Sequence, residues 1–390
     1  MNVQNTTKKH KIAVVIDSFT RGGVAMAAQV FLQFLAQEHY EITLFVREFD
    51  PEKMLSVPED VVCLPWESKC ILSPFNRVMM LLNWRNFGKK KVYRAKERSM
   101  FPGEYDCAIA YQMVANDVTV VTLVKIRAKR KVLWLHGKKN FLEKDLPFYD
   151  NLYAKADEIV CVSLETEERF RRLMPKCANK TVTIHNLYDI PEILERAALP
   201  AEDMDVNDPA VKIVSVGRLS KEKGFDRVPE VARRLMDTGY DFKWYIVGDG
   251  DQRHTVETWL HEKQVADRVH LLGHRGNPYP YVQKCDLYVQ PSYTEGFCTS
   301  TMEAKILHKP VVTTDVPGMR EQFVDGENGL IVESSVEGIY DGVRRLLDSP
   351  ELRARIAEKL RMEPVPNEEV LRQTMAVIDG TKDSICWRAR

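Results

Sequence analysis

Twice in this chain a short apolar run ends in a polar, glycine-bearing turn and then passes into a helical pattern. The first instance is Lys11-Ile-Ala-Val-Val-Ile-Asp17, followed by Ser18-Phe-Thr-Arg-Gly-Gly23 and a helical pattern from Val24 to about Gln37. The second is Lys212-Ile-Val-Ser-Val-Gly217, followed by Arg218-Leu-Ser-Lys-Glu-Lys-Gly224 and a helical pattern to about Met236. Continuous apolar runs of this length suit strands buried on both faces, as in a parallel sheet covered by helices. A strand–turn–helix opening that occurs once in each half predicts two α/β bodies.

Other strand candidates fit that grammar. The first half carries Ile42–Val46, Tyr105–Ala110, Lys131–Leu135 and Glu158–Val162. The second carries Phe242–Val247, Val269–Leu272, Leu287–Gln290, Pro310–Thr313 and Gly329–Val332. Strands alternating with helices imply βαβ units, and 390 residues is the length of two ordinary domains. Pro191, Pro200 and Pro209 with Glu202, Asp203, Asp205 and Asp208 mark a linker. The expected fold is therefore α/β, with two Rossmann-like doubly wound parallel-sheet domains facing a cleft. Their bounds are 1–190 and 211–364, with a linker at 191–210 and a C-terminal helix at about 365–390 that packs back on the first domain.

Composition narrows the partners. Lysine plus arginine equals aspartate plus glutamate at 56 each, so net charge calls for no polyanionic partner, and no nucleic acid is expected. The eight cysteines form no CxxC pair and several lie in apolar runs, which reads as buried thiols in a reducing compartment. The polar first ten residues and the lack of a long apolar run argue for a cytoplasmic protein. One stretch, Trp84–Arg98, holds seven basic residues and one acid after the apolar Val78-Met-Met-Leu-Leu82. It reads either as a solvated charged helix or as a peripheral contact with the anionic inner face of a membrane.

Several residues carry candidate chemistry. Gly22-Gly23 is either a plain tight turn or a place where backbone amides meet a phosphate at a helix N-terminus. Arg218 and Lys223 follow a strand's carboxyl end, where doubly wound sheets bind ligands, and two cations there suit a diphosphate. His136, after Val132-Leu-Trp-Leu135, is a cleft residue or a satisfied structural histidine. Asp249-Gly-Asp251 has the form of a metal-holding pair but reads more simply as a strand-end turn, so no metal site is assigned. The GxGxxG fingerprint is missing, which disfavours a nicotinamide enzyme.

Glu295 and Glu303 bracket Gly-Phe-Cys-Thr-Ser-Thr-Met. A helix over 297–305 would set the two glutamate backbones about 12 Å apart. Glycosidase carboxylates flank one bond at roughly 5–9.5 Å, so two grips on an elongated ligand fit better than a hydrolytic pair.

The order of these motifs resembles the family 4 retaining glycosyltransferases of the GT-B fold. It runs through Gly22-Gly23, Leu135-His136-Gly137, Val216-Gly-Arg-Leu-Ser-Lys-Glu-Lys-Gly224 and Val247-Gly-Asp-Gly250. It closes with Glu295-Gly-Phe through Glu303-Ala304, Lys309-Pro-Val-Val312 and Gly326-Glu-Asn-Gly329. Residues from about 210 to 350 match densely, whereas the first domain matches only at its two glycine-bearing sites. Cys298 and His308 stand where the family more often has small residues, and His185-Asn-Leu-Tyr-Asp189 lacks the glycine of the family's turn.

The resemblance implies transfer of a sugar, with retention, from a nucleoside diphosphate sugar, a UDP-sugar being favoured, to a glycan or lipid-linked acceptor in cell-surface polysaccharide synthesis. It implies no cofactor and no metal. By the same carry-over His136, Arg218, Lys223 and Glu295 are catalytic. Gly22, Gly23, Phe297, Cys298, Thr299, Ser300, Glu303, His274 and Arg275 bind the donor. Glu295 takes the sugar hydroxyls, Glu303 the ribose, and the departing phosphate deprotonates an acceptor that attacks from its own face. A chain of this fold that only stabilises an active transferase is the alternative, and it should have lost a diphosphate cation or a donor glutamate. Arg218, Lys223, Glu295 and Glu303 are all present.

Overall fold

The computed structural model describes residues 9–20, 22–66, 101–112, 117–137 and 146–382. The basic stretch Trp84–Arg98 lies outside the described residues. The chain divides into two compact units, Met1–Tyr188 with Asn367–Arg390, and Asp189–Pro366.

The first unit is built on a seven-stranded sheet in the order β3-β2-β1-β4-β5-β6-β7. Its strands are β1 His10–Ser18, β2 Tyr40–Glu48, β3 Val62–Pro65, β4 Tyr105–Gln112, β5 Ala128–Leu135, β6 Glu158–Cys161 and β7 Thr181–Thr183. Every pairing is parallel. Ile12 through Val15 are fully buried, as a strand covered on both faces requires. The helix Gly23–Ala36 turns Ala25, Ala27, Ala28, Phe31, Leu32 and Leu35 inward. Phe31 meets the Tyr111 and Trp134 rings at 4.9 and 5.0 Å. The helix Asn367–Asp379 is held to this unit by polar ties: Arg130 Nε donates to the Val377 carbonyl at 2.7 Å, and Tyr40 OH to Asp379 Oδ2 at 3.1 Å.

The second unit carries a six-stranded parallel sheet in the order β10-β9-β8-β11-β12-β13. Its strands are β8 Val211–Val216, β9 Phe242–Val247, β10 Val269–Gly273, β11 Leu287–Gln290, β12 Val311–Thr314 and β13 Leu330–Val332. The core between sheet and helices includes Ile213, Phe225, Trp244, Leu287, Val312 and Leu346. Ser335 caps the helix Val336–Asp348 by accepting from the Gly338 amide at 3.0 Å.

Residues 191–210, expected as a linker, open instead with the helix Ile190–Ala197. Pro191 sits in its first turn, where a missing N–H does no harm, and Asp189 accepts from the Glu192 amide at 3.0 Å. A proline that reads as a breaker is here a helix starter. Among the described residues no helix is long and apolar enough to cross a membrane. Of the described cysteines, five are buried free thiols and Cys63 is partly exposed.

Candidate functional site

In the second sheet the strand order reverses between β8 and β11. Open parallel sheets bind ligands at the carboxyl ends of the two strands that flank such a reversal. The loops that leave those ends are Gly217–Gly224 and Pro291–Cys298, and each is buttressed. The Leu219 amide donates to the Asp249 carbonyl at 3.1 Å, the Gln252 amide to Leu219 at 2.8 Å, and the Tyr293 amide to Glu222 at 2.8 Å. Two glycines make this packing possible. Gly224 has φ +68, and a Cβ there would lie 1.9 Å from the Pro291 carbonyl oxygen; at Gly248, φ +150, it would lie 1.8 Å from that of Gly217.

These loops join Lys223 to Glu295. Lys223 Nζ lies 2.8 and 2.9 Å from the two Glu295 oxygens, and only 8% of the Glu295 side chain is exposed. Behind the pair runs a chain of polar groups rising from β11. Tyr288 OH donates to Gln290 Oε1 at 2.9 Å, Gln290 Nε2 to Ser292 Oγ at 2.9 Å, and Ser292 Oγ to Glu295 Oε1 at 2.5 Å. Burial disfavours the Lys223 charge, but Cys298 and Glu295 outweigh it and hold the ammonium above its ordinary pKa. Arg218 stands exposed beside this loop, and its guanidinium makes no hydrogen bond or ion pair among the described residues. The site thus has one fixed cation, one free cation and one oriented carboxylate.

The helix expected from residue 297 begins at Thr299, because Cys298 is extended and serves as its N-cap. Glu295–Phe297 is therefore loop, which lets Glu295 turn back to Lys223 while Glu303 rides on the helix Thr299–Ile306. No side chain caps that N-terminus, so the Thr299 and Ser300 amides are placed to meet an anion. The Cys298 thiol is buried with Val316 and Met319 and lies 3.3 Å from Ser300 Oγ, and burial pushes its pKa up. Its carbonyl accepts from Thr301 Oγ1 at 2.8 Å and Gln322 Nε2 at 3.2 Å. The residue that departs from the family pattern is thus a core filler whose backbone shapes the loop.

Glu303 is partly buried, and burial pushes its pKa up to about 7, against the pull of Tyr279 and Arg196. Tyr279 OH donates to Glu303 Oε1 at 3.1 Å. Sequence reasoning missed Tyr279 and Arg196. The signal was Asn277-Pro-Tyr-Pro-Tyr281, which opens the helix Tyr279–Lys284 with two buried tyrosines.

Other expected residues fall differently. Arg275 is committed to Asp203 and to Tyr281 OH, and His274 is exposed at the end of the edge strand β10. Asp249 and Asp251 are exposed, and among the described residues no group of three or more His, Cys, Asp or Glu could hold a metal ion. Gly250 packs its backbone against Leu219, where a Cβ would lie 2.3 Å from the carbonyl oxygen, so the Asp-Gly-Asp turn buttresses the Arg218 loop.

In the first unit, Gly22 has φ +130 and precedes the helix Gly23–Ala36, which no side chain caps. His136 follows β5 with 9% exposure; its ring lies 4.3 Å from that of Tyr111, and its buried Nε2 has no hydrogen-bond partner among the described residues. Burial pulls its pKa down to about 3, so it is neutral at physiological pH.

Comparison with known proteins agrees with this geometry. Residues 202–362 match the family described as glycosyl transferases group 1. A Campylobacter jejuni N-acetylgalactosamine-N,N'-diacetylbacillosaminyl-diphospho-undecaprenol 4-alpha-N-acetylgalactosaminyltransferase is 32% identical over 212 residues, 54% of this chain and 56% of that protein. The Staphylococcus aureus capsular polysaccharide biosynthesis glycosyltransferase CapM is 29% identical over 149 residues, 37% of this chain and 39% of that one. The chain spans about half the length of the curated relatives it matches. Among solved structures, a Rickettsia africae glycosyltransferase superposes with a TM-score of 0.74 at 15% identity, covering 96% of this chain and 98% of that one. Anabaena HepE in complex with UDP-glucose does so with 0.67 at 16% identity, over the same shares. Residues 202–362 thus match the glycosyl transferases group 1 family, and the chain has the GT-B fold of two parallel-sheet α/β units.

Proposed function

We propose that this chain is a retaining glycosyltransferase that moves a sugar from a UDP-sugar to a glycan or lipid-linked acceptor in cell-surface polysaccharide synthesis. The observation that carries the reading is the Lys223–Glu295 pair at the reversal of the second sheet, beside the uncommitted Arg218. The difficult step is departure of a diphosphate. Lys223, already fixed by Glu295, meets the negative charge as it develops without reorganising, in place of a divalent metal, and the exposed Arg218 turns to the phosphates beside it. The free amides at Thr299 and Ser300, and those at Gly22-Gly23, add partial positive charge of the same kind.

In this reading Glu295 binds the sugar's hydroxyls with the oxygen face that Lys223 leaves open, and Glu303 binds the ribose. His136, neutral and with an Nε2 that has no hydrogen-bond partner among the described residues, hydrogen-bonds the reacting sugar. The leaving phosphate takes the acceptor's proton on the face of departure, so neither glutamate forms a covalent bond. His274 and Arg275 contribute to the donor site at its margin, Arg275 only after exchanging Asp203. The names of two relatives, one with diphospho-undecaprenol and one with capsular polysaccharide, support the acceptor class. The basic stretch Trp84–Arg98 is assigned the contact with an anionic membrane on the cytoplasmic side.

Release of UDP from UDP-sugars is the test. Arg218→Ala and Glu303→Ala should each lower transfer by orders of magnitude, on the order of 10²–10³ for one lost transition-state contact, with melting temperatures that show folded protein. UDP release undiminished in Arg218→Ala would contradict the assignment.

A further inference from the structure

We propose that Tyr279, backed by Arg196, is a positioning residue that presents the Glu303 carboxylate to the ribose diol of the donor; this rests on the donor reading above. Glu303 projects from the helix Thr299–Ile306, and its Oε1 accepts from Tyr279 OH at 3.1 Å. Among the described residues its Oε2 accepts no hydrogen bond, so one oxygen is anchored and the other is left for a ligand.

The anchor is itself held from behind. The Arg196 guanidinium lies over the Tyr279 ring at 5.2 Å. It is fixed by Glu192 Oε1 at 3.0 Å and by the Gly276 carbonyl at 2.6 Å. Asn277 joins the two helices: its Nδ2 donates to the Arg196 carbonyl at 2.8 Å, and its Oδ1 accepts from the Tyr279 amide at 3.3 Å. Tyrosine, arginine and the carboxylate thus come from three helices.

This arrangement does more than fill space. A carboxylate in partly buried surroundings is drawn toward its neutral form, and a neutral carboxyl accepts weakly from a diol. The groups that face Glu303 act on that balance. The Tyr279 hydroxyl and the Arg196 charge favour the carboxylate, Glu192 partly offsets Arg196, and Tyr288 of β11 stands near enough to feel the Glu303 charge. Lys305, on the same helix, is spent on Glu363 at 2.8 Å and the Gln322 carbonyl at 2.8 Å. Tyr279 and Arg196 therefore keep a ligand-binding carboxylate ionised near neutral pH.

The test is calorimetric titration of the full chain with UDP-glucose, whose phosphodiesters do not titrate in this range, between about pH 5.5 and 8.5. For the wild type, affinity should fall as pH drops through about 7, as Glu303 takes up its proton. Tyr279→Phe, which keeps the ring and its stacking, should bind about tenfold more weakly at neutral pH, with the midpoint of the fall moved to higher pH. Arg196→Gln should move that midpoint the same way, and Tyr279→Phe should have no further effect in a Glu303→Gln background. A wild-type midpoint and affinity in Tyr279→Phe overturns the positioning role while leaving the donor reading standing. Weaker binding with an unmoved midpoint also overturns it and leaves Tyr279 a packing residue. Failure of the folded wild type to bind UDP-glucose, UDP or any other UDP-sugar at any pH overturns the donor reading itself.

Discussion

Glu303 is where local electrostatics and function pull in opposite directions. In the folded chain burial pushes its pKa up to about 7, against a reference of 4.5 for an unperturbed glutamate. Between those two values the native state holds a proton that the unfolded state has lost. Stability therefore falls as pH rises through this window, and the full penalty is present above about 7. Below the unfolded value both states are protonated and the residue makes no difference. Glu303→Gln removes the penalty, so the variant should gain on the order of 2 kcal/mol at about pH 8, allowing for the residue's partial exposure, and little at about pH 4.5. Urea unfolding at the two pH values checks this; an equal change at both would contradict it. The proposed ribose-binding role gives a reason for a carboxylate at a site that disfavours its charge. Its identity was legible in the motif order. Its hydrogen-bond donor was not, because Tyr279 and Glu303 lie far apart in the sequence and meet only through the packing of their helices.

At the scale of elements, the helix Thr299–Ile306 ends in a left-handed residue that is not glycine. His308 has φ +57, its amide donates to the Lys305 carbonyl at 2.9 Å, and the Lys309 amide donates to Ala304 at 2.9 Å. This pair of bonds is the Schellman ending, which glycine makes without strain and other residues make at a penalty. The small residue more common here in the family thus has a backbone reason. His308→Gly should raise stability by about 1 kcal/mol, read as a higher urea midpoint at unchanged slope; a lower midpoint would show that the half-buried imidazole contributes more than the backbone loses. The strands most easily read were the apolar runs of β1, β4, β8 and β9. Those missed, β3 and β7, are the two edges of the first sheet, with four and three residues. Edge strands this short lack the apolar run that two buried faces impose. The helix Ile190–Ala197 was hidden by its own starting proline, since the residue that ends one helix can begin another.

For the whole molecule, two parallel sheets with the same kind of strand order follow from two strand–turn–helix openings. The class of fold was accordingly legible before any side chain was placed. The placement of four residues was legible too, since Arg218, Lys223, Glu295 and Glu303 lie on the two loops and one helix that the reversal of the second sheet defines. What sequence alone left open was coupling: that Lys223 and Glu295 form one unit, that the Asp249 turn buttresses and the Cys298 thiol fills, and that the buried Nε2 of His136 has no hydrogen-bond partner among the described residues. The central claim is that the carboxyl ends of β8 and β11 hold a nucleoside diphosphate sugar. Thermal unfolding of the purified chain across a panel of nucleotide sugars tests it most directly, because a ligand that binds only the folded state raises the melting temperature. The account predicts a rise with UDP-sugars that is lost in Glu303→Ala and in Lys223→Ala. No rise with any nucleotide sugar at millimolar concentration, in protein that melts cooperatively, would contradict it.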